Sequence, residues 1–434
     1  MKTRARALLL LGIAFLGSGC ATREKLPLAP SRNSVGVESI AAGALEPDGH
    51  GSRGAAQVTG NLGGSLYALY RPARWNGDLV LYAHGYIPPT APIALPAAEA
   101  VRDSLLAHHY AVAYSSFSEN GYAVRDGAER TEQLQGLFTA KLGRPRRMFL
   151  LGVSLGGQIA QMLSERHPRQ YAGALTLSGV LGGTRREFDY VATVRVLFDY
   201  FYPGVLPGDL LHLPANLDLN QDVIGPAVAA MSAHPEGAFA LSQIAPVPFA
   251  DGNELVASIV QALVLHTLEL DDMLARTHGQ SFFDNADVVY TGPLPPALLA
   301  DLNAHVARYH VGPGAAVLMR NYYEPTGRLF IPMLALHTSR DPVVPLFHED
   351  VYRGLVAAAG NSERLQQRVD DRYGHAAFPP DEVIAAFEDL VHWADAGVKP
   401  PCRLPRHIAG RGRLEIESQI ASARVGSFPS PVIR

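Results

Sequence analysis

Between positions 65 and 183 the spacing of apolar residues changes in a regular order. Short apolar runs, the pattern of strands buried on both faces, occupy residues 79–83, 111–115, 148–151 and 171–178. Between them, apolar residues recur at helical spacing over 96–109, 123–141 and 158–167. Strand and helix in steady alternation predict right-handed crossovers and a mostly parallel central sheet with helices on both faces. Residues 65–71 also read as a strand. The turn signal Trp75-Asn76-Gly77-Asp78 before 79–83 predicts a hairpin between these two runs, although the approach from Arg71 to Trp75 is longer than a minimal loop.

The alternation stops near Gly182. From there to Gly327 the signals are helical, over 186–202, 221–233, 254–276 and 297–309, with Pro- and Gly-rich joints. An insertion of this size between two strands of a parallel sheet is expected over the carboxyl ends of the strands, as a helical cap spanning 184–327. Its aromatic residues Phe188, Tyr190, Phe198, Phe201, Phe282 and Phe283 read mainly as the core of that helical unit. Strand signals resume at 329–336 and 365–369, and a final helix is expected over 381–396. The core is thereby divided into 65–183 and 328–397.

Lys2, Arg4 and Arg6 precede an apolar run over 7–16 and then Gly17-Ser18-Gly19-Cys20, the order of an export signal over 1–19. Ten apolar residues are too few for a permanent membrane helix. The segment resembles a bacterial lipoprotein leader, which implies cleavage before Cys20, lipid on its sulfur and a membrane contact through that anchor. Gly17 stands where a leucine-like residue is usual, so plain secretion stays open. Either route places the rest of the chain outside the cytoplasm. Residues 20–64 read as a tether running into one or two edge strands, and 398–434 as a Pro- and Arg-rich tail without a motif.

At 434 residues and 47% hydrophobic composition the chain can bury a large core. A formal net charge of -4 supplies no basic field for nucleic acid. Two cysteines, Cys20 and Cys402, cannot build a disulfide framework, and the leader pattern gives Cys20 another role.

The chemistry concentrates in Gly152-Val153-Ser154-Leu155-Gly156, set between an apolar strand and an amphipathic helix. A strand that turns sharply into a helix there strains the central residue, and the flanking glycines allow the close approach this needs. The hydroxyl of Ser154 is then presented above the sheet beside free N–H groups at a helix N-terminus. Downstream, Asp341 follows a buried strand in the rigid loop bounded by Pro342 and Pro345, and His375 follows Gly374 in the loop after the last strand. Upstream, His84-Gly85-Tyr86 ends a central strand, so the N–H of Tyr86 can join that of Leu155 in receiving an anionic oxygen. His337, His348 and His392 are poorer candidates, the first because it precedes the acid loop and the others because they fall on helices. The loop 116–122 is polar and aromatic, equally suited to a pocket wall or to the surface.

With Ser154, Asp341 and His375 in that chain order and a large insertion before the acid, the sequence resembles the α/β-hydrolase superfamily of serine hydrolases over most of 65–183 and 328–397. The lead Trp75-Asn76-Gly77, the His84-Gly85-Tyr86 turn and the Asp341-Pro342 loop are similar to secreted bacterial esterases. The resemblance implies the α/β-hydrolase fold, with Ser154 as nucleophile, His375 as base, Asp341 as orienting acid, and Tyr86 and Leu155 as oxyanion donors. It also implies a small-molecule ester substrate and no metal or organic cofactor. Two other readings stay open: a serine peptidase recognising a free amine or a proline ring, and a surface lipoprotein that keeps the fold only to bind.

Overall fold

The computed structural model describes residues 54–402 except Tyr323, with Tyr322 described in its backbone alone. The leader, Cys20, the tether before Gly54 and the tail beyond Cys402 lie outside the described residues. Among the described residues no helix is long and apolar enough to cross a membrane.

Among the described residues eight strands make one sheet: β1 (Ala56–Leu62), β2 (Ser65–Arg71), β3 (Asp78–Ala83), β4 (Ala111–Ser115), β5 (Arg147–Val153), β6 (Gly173–Leu177), β7 (Met333–Arg340) and β8 (Leu365–Tyr373). Their order across the sheet is β1-β2-β4-β3-β5-β6-β7-β8. Strands β3 to β8 run parallel, and β1 and β2 are antiparallel additions at one edge. Alternate residues of β3 serve opposite faces, Leu79 and Leu81 on one and Val80 and Tyr82 on the other. Helices α1 (Glu99–Ala107), α2 (Val124–Leu142) and α3 (Leu155–Arg166) fill the first crossovers. Residues of α2 and α3 join the first apolar face, and those of α1 join the second.

The hairpin expected between residues 65–71 and 79–83 does not form, because β4 lies between β2 and β3. The Asn-Gly turn is used elsewhere. Asn76 takes the Asp78 N–H at 2.9 Å on its side-chain oxygen and gives its own N–H to the His109 carbonyl at 3.0 Å, while the Trp75 indole donates to the Asp78 carbonyl at 2.8 Å. Buried Asp78 then anchors the strand start through Arg146 and Arg147. The hairpin partner of β2 is β1, joined through Gly63 and Gly64, whose φ of 58° and 86° suit a tight two-residue turn.

Between β6 and β7 the chain forms α4 (Thr184–Phe201), a π-helical turn at Leu219–Ile224, α5 (Gly225–Ala233), α6 (Pro235–Ser242), α7 (Gly252–Arg276), α8 (Pro296–His305) and α9 (Pro313–Tyr322). The sequence reading misses α6 and α9, two short helices that begin at prolines. Phe188, Tyr190, Phe198, Phe282 and Phe283 are buried in a cluster continuous with the α2 and α3 side of the sheet, so this stretch shares the core of the sheet. After it, β7 starts four residues later than expected, behind Pro332, whose carbonyl takes the Ala174 N–H at 3.0 Å. Helices α10 (Phe347–Ala358) and α11 (Pro380–Ala396) complete the fold, the latter on the α1 face.

Candidate active site

Ser154 stands between β5 and α3 with φ 57° and ψ -122°, a conformation that strains any residue with a side chain. The two elbow glycines are sterically required. A Cβ at Gly152 would lie 2.1 Å from the Gly156 carbonyl oxygen, and one at Gly156 would lie 2.0 Å from that of Ala83. The turn is tied to its neighbours by the Ser154 N–H on the Leu177 carbonyl at 2.9 Å and the Val180 N–H on the Ser154 carbonyl at 3.3 Å. These contacts hold the serine at the carboxyl end of the sheet, where open α/β sheets place their ligands.

The turn after β3 meets the serine directly. A Cβ on Gly85 would lie 3.2 Å from that of Ser154, so a larger residue would crowd the hydroxyl. Among the described residues, neither the N–H of Tyr86 nor that of Leu155 donates a hydrogen bond. The Tyr86 ring is buried, and its hydroxyl donates to the Leu268 carbonyl of α7 at 2.9 Å. His84 is buried, stacked 3.8 Å from Phe117 and driven down to about 4 by burial, so it stays neutral at physiological pH. The loop 116–122 is largely interior, with Ser116, Phe117, Asn120 and Tyr122 all buried.

Asp341 and His375 come together although 34 residues apart: His375 Nδ1 lies 2.9 Å and 3.0 Å from the two carboxylate oxygens. Asp341 Oδ1 also accepts the N–H groups of Val343 and Val344, each at 3.0 Å. Burial works against its ionisation, but His375, His337 and the Val344 amide outweigh it, and Asp341 is held below the usual carboxylate range. The His375 loop is pinned on both sides. Thr338 donates to the Gly374 carbonyl at 2.6 Å, and Ala376, at φ 49°, donates its N–H to the Ser178 hydroxyl at 3.1 Å. Ser178 directly follows β6 as Ser154 follows β5, and Val153 and Leu177 are register partners, so the histidine loop is bonded to the strand end beside the serine. Nε2 of His375 is buried and bonds to no described group, Ser154 included. Catalytic hydrogen bonds are often open without substrate.

Among the buried ionisable groups, His337 and His348 rank as poorer candidates by sequence, and Glu187 and Glu269 are missed by it. His337 is fully buried, with Nδ1 3.1 Å from Glu349 and Nε2 2.7 Å from the Val344 carbonyl. His348 takes the Gly182 N–H on Nδ1 at 3.1 Å and sets Nε2 2.9 Å from Glu187; burial, then the charge of His337, lowers it to about 3. Glu187 on α4 and Glu269 on α7 are both buried, and burial raises each well above the glutamate range. The charge of Asp341 raises Glu187 further, and Glu187 does the same to Glu269. Oε2 of Glu269 has no partner among the described residues, whereas Asp272 one turn on bonds Arg276 and the Tyr122 N–H. The available signal is Glu and His in otherwise apolar helical runs and, for His337, in an apolar strand. Among the described residues no group of three or more such side chains is arranged to hold a metal ion.

The fold is that of the α/β-hydrolases, with its mixed eight-stranded sheet, serine elbow turn and histidine loop after the last strand. No family model matches the chain, and no curated protein matches it. Solved structures do. A membrane phospholipase A described as a bacterial virulence factor is 16% identical at TM-score 0.38, over 80% of this chain and 88% of its own. An esterase from Aspergillus oryzae is 13% identical at TM-score 0.43, over 80% of each chain. Candida antarctica lipase A is 14% identical at TM-score 0.39, over 78% of this chain and 75% of its own. At such identities and TM-scores the likeness carries no argument about activity, substrate or family.

Proposed function

We propose that this protein is an extracytoplasmic serine hydrolase that cleaves carboxylic esters through an acyl-Ser154 intermediate, with residues 184–327 acting as a cap. The observation that carries the reading is the pairing of a strained serine elbow with an Asp341–His375 contact of 2.9 Å whose outer nitrogen is left unbonded. A serine hydroxyl is a weak nucleophile until a base takes its proton during attack. His375 takes it on Nε2 and returns it to the leaving alcohol, while Asp341 fixes the Nδ1–H tautomer and stabilises the imidazolium. The N–H groups of Tyr86 and Leu155 receive the oxyanion, each such donor being worth roughly 3 kcal/mol in the transition state. Water then releases the acid by the same steps in reverse order of roles.

The export signal and a lipid at Cys20 belong to the same proposal. Globomycin-sensitive processing, with fatty acid on the mature N-terminal cysteine, is the expected result, and Cys20→Ser releases the protein from the membrane.

A fluorophosphonate probe tests the chemistry. Wild-type protein is labelled at Ser154 and hydrolyses p-nitrophenyl acyl esters; an unlabelled, inactive wild type leaves the binding-protein reading. A second reading has its own support, because Glu187 and Glu269 are buried carboxyls and, among the described residues, no Lys or Arg pairs with either. A substrate ammonium would supply the missing charge, as in an aminoacyl ester or amide. Comparing isosteric 2-aminopropanoyl and isobutyryl p-nitrophenyl esters separates the two: selection of the amine by tenfold or more favours the second.

A further inference from the structure

We propose that His337, carried as an imidazolium against Glu349, is a positioning residue that fixes the charge and orientation of Asp341; this rests on the Ser154–His375–Asp341 reading. Both ring nitrogens of His337 meet acceptors. Nδ1 is 3.1 Å from Glu349 Oε1, and Nε2 is 2.7 Å from the Val344 carbonyl. A carbonyl oxygen can only accept, so Nε2 carries a hydrogen. The second proton lies between Nδ1 and Glu349. Nε2 is also 3.7 Å from Asp341 Oδ2, and that negative charge favours the proton on the ring.

The partners are themselves fixed. Gln367 Nε2 lies 2.5 Å from the second Glu349 oxygen and 2.7 Å from the Glu349 carbonyl. The Val344 carbonyl bonded by Nε2 belongs to the residue whose N–H bonds Asp341 Oδ1, so one ring holds the far side of the acid loop. Asp341 therefore lies between two imidazoles, His375 on the substrate side and His337 behind. Other ionisable groups within reach are His348, which is neutral, Glu187, and the phenols of Tyr190 and Tyr373, both raised by burial and so uncharged. Burial opposes the charge on His337, but Glu349, then Asp341 and the Val344 carbonyl, overcome it and raise His337 above its ordinary value.

The consequence is a readable sign. A fixed positive charge behind Asp341 opposes a second positive charge on its other side, so removing it is expected to move the acid limb of labelling to higher pH. The experiment follows the rate of fluorophosphonate labelling of the full-length protein against pH, in wild type, His337→Gln and Glu349→Gln. The acid limb is expected to move to higher pH by about half a unit to one unit in His337→Gln, and by less in Glu349→Gln. Neutral-pH labelling should fall about tenfold in His337→Gln. Nitrogen-15 NMR of wild-type imidazoles supplies a readout free of turnover and of mutation: His337 should keep both ring protons above the ordinary imidazole value of 6.5. An unmoved acid limb with a uniform loss of rate, or a His337 that loses a proton near pH 6.5, overturns the proposal while leaving the triad standing. A wild type that is not labelled at any pH overturns both.

Discussion

Two sets of buried ionisable groups lie within electrostatic reach of one another at the candidate site. The set carried by the ends of β7 and β8 and by α10, namely Asp341, His375, His337 and Glu349, bonds almost every polar atom it owns. The set carried by α4 and α7, Glu187 and Glu269, has one neutral histidine between them. A buried charge persists only when paired and hydrogen-bonded. The first set accordingly holds its carboxylate ionised, and the second is pushed toward the neutral form. The difference lies in whether each buried carboxylate has hydrogen-bond donors enough to stay ionised.

The largest effect that tests the first set is the loss of its client. Ser154→Ala should abolish fluorophosphonate labelling and reduce ester turnover by roughly a millionfold, by analogy with triad serines elsewhere. Its Tm should stay close to wild type, because the strain at φ 57° is the same for alanine. Retained labelling at another residue would place the nucleophile outside this site.

Asp341→Asn comes next. An amide at that position can present a donor to Nδ1 and trap the wrong tautomer, so kcat should fall by up to roughly ten-thousandfold with little change in KM. Near-full activity in this variant would require another acid. Asp350 is a poor substitute, since it is exposed on α10 and paired with Arg353.

The degree to which these sets were readable beforehand follows from how each is encoded. The serine elbow is local, because glycine spacing and apolar runs state both the turn and the reason for it. Chain order adds Asp341 and His375 as candidates, and the fold brings those two within 2.9 Å of each other; β4 falls where its apolar run predicts, to the residue. The edge of the sheet was not legible. The Asn76-Gly77 signal is a real turn, but what it closes depends on α1 and on Asp78 finding two arginines, contacts far apart in sequence. His337 was set aside for preceding the acid loop, yet that position lets it bond the Val344 carbonyl from behind. Glu187 and Glu269 sit on helices whose apolar faces predict burial in general, and nothing local says that these two glutamates are buried with them.

A smaller and opposite effect belongs to acid stability. Asp341 is depressed in the folded protein, so its contribution is present above the ordinary aspartate value and is lost as pH falls through its folded value. Asp341→Asn should therefore flatten the acid side of a Tm-against-pH curve, and an unchanged acid limb of that curve would remove Asp341 from the groups that are ionised at cost of protonation.

Glu269→Gln is the least disruptive and the most discriminating. Because burial raises the carboxyl from its ordinary value of 4.5, Glu269 is protonated in the folded chain where it would be ionised in the unfolded one. Its contribution is thus greatest below that ordinary value and declines as pH rises toward the folded one. Relative to wild type, the glutamine variant should gain stability as pH rises above the ordinary glutamate value of 4.5, seen as a Tm higher by about 2 °C at neutral pH. A carboxyl retained at that expense implies a use, and the same variant should lose any preference for the 2-aminopropanoyl over the isobutyryl ester. Gain of stability without loss of preference would leave Glu269 a buried acid of no consequence for substrate, and would leave the neutral-ester reading unopposed.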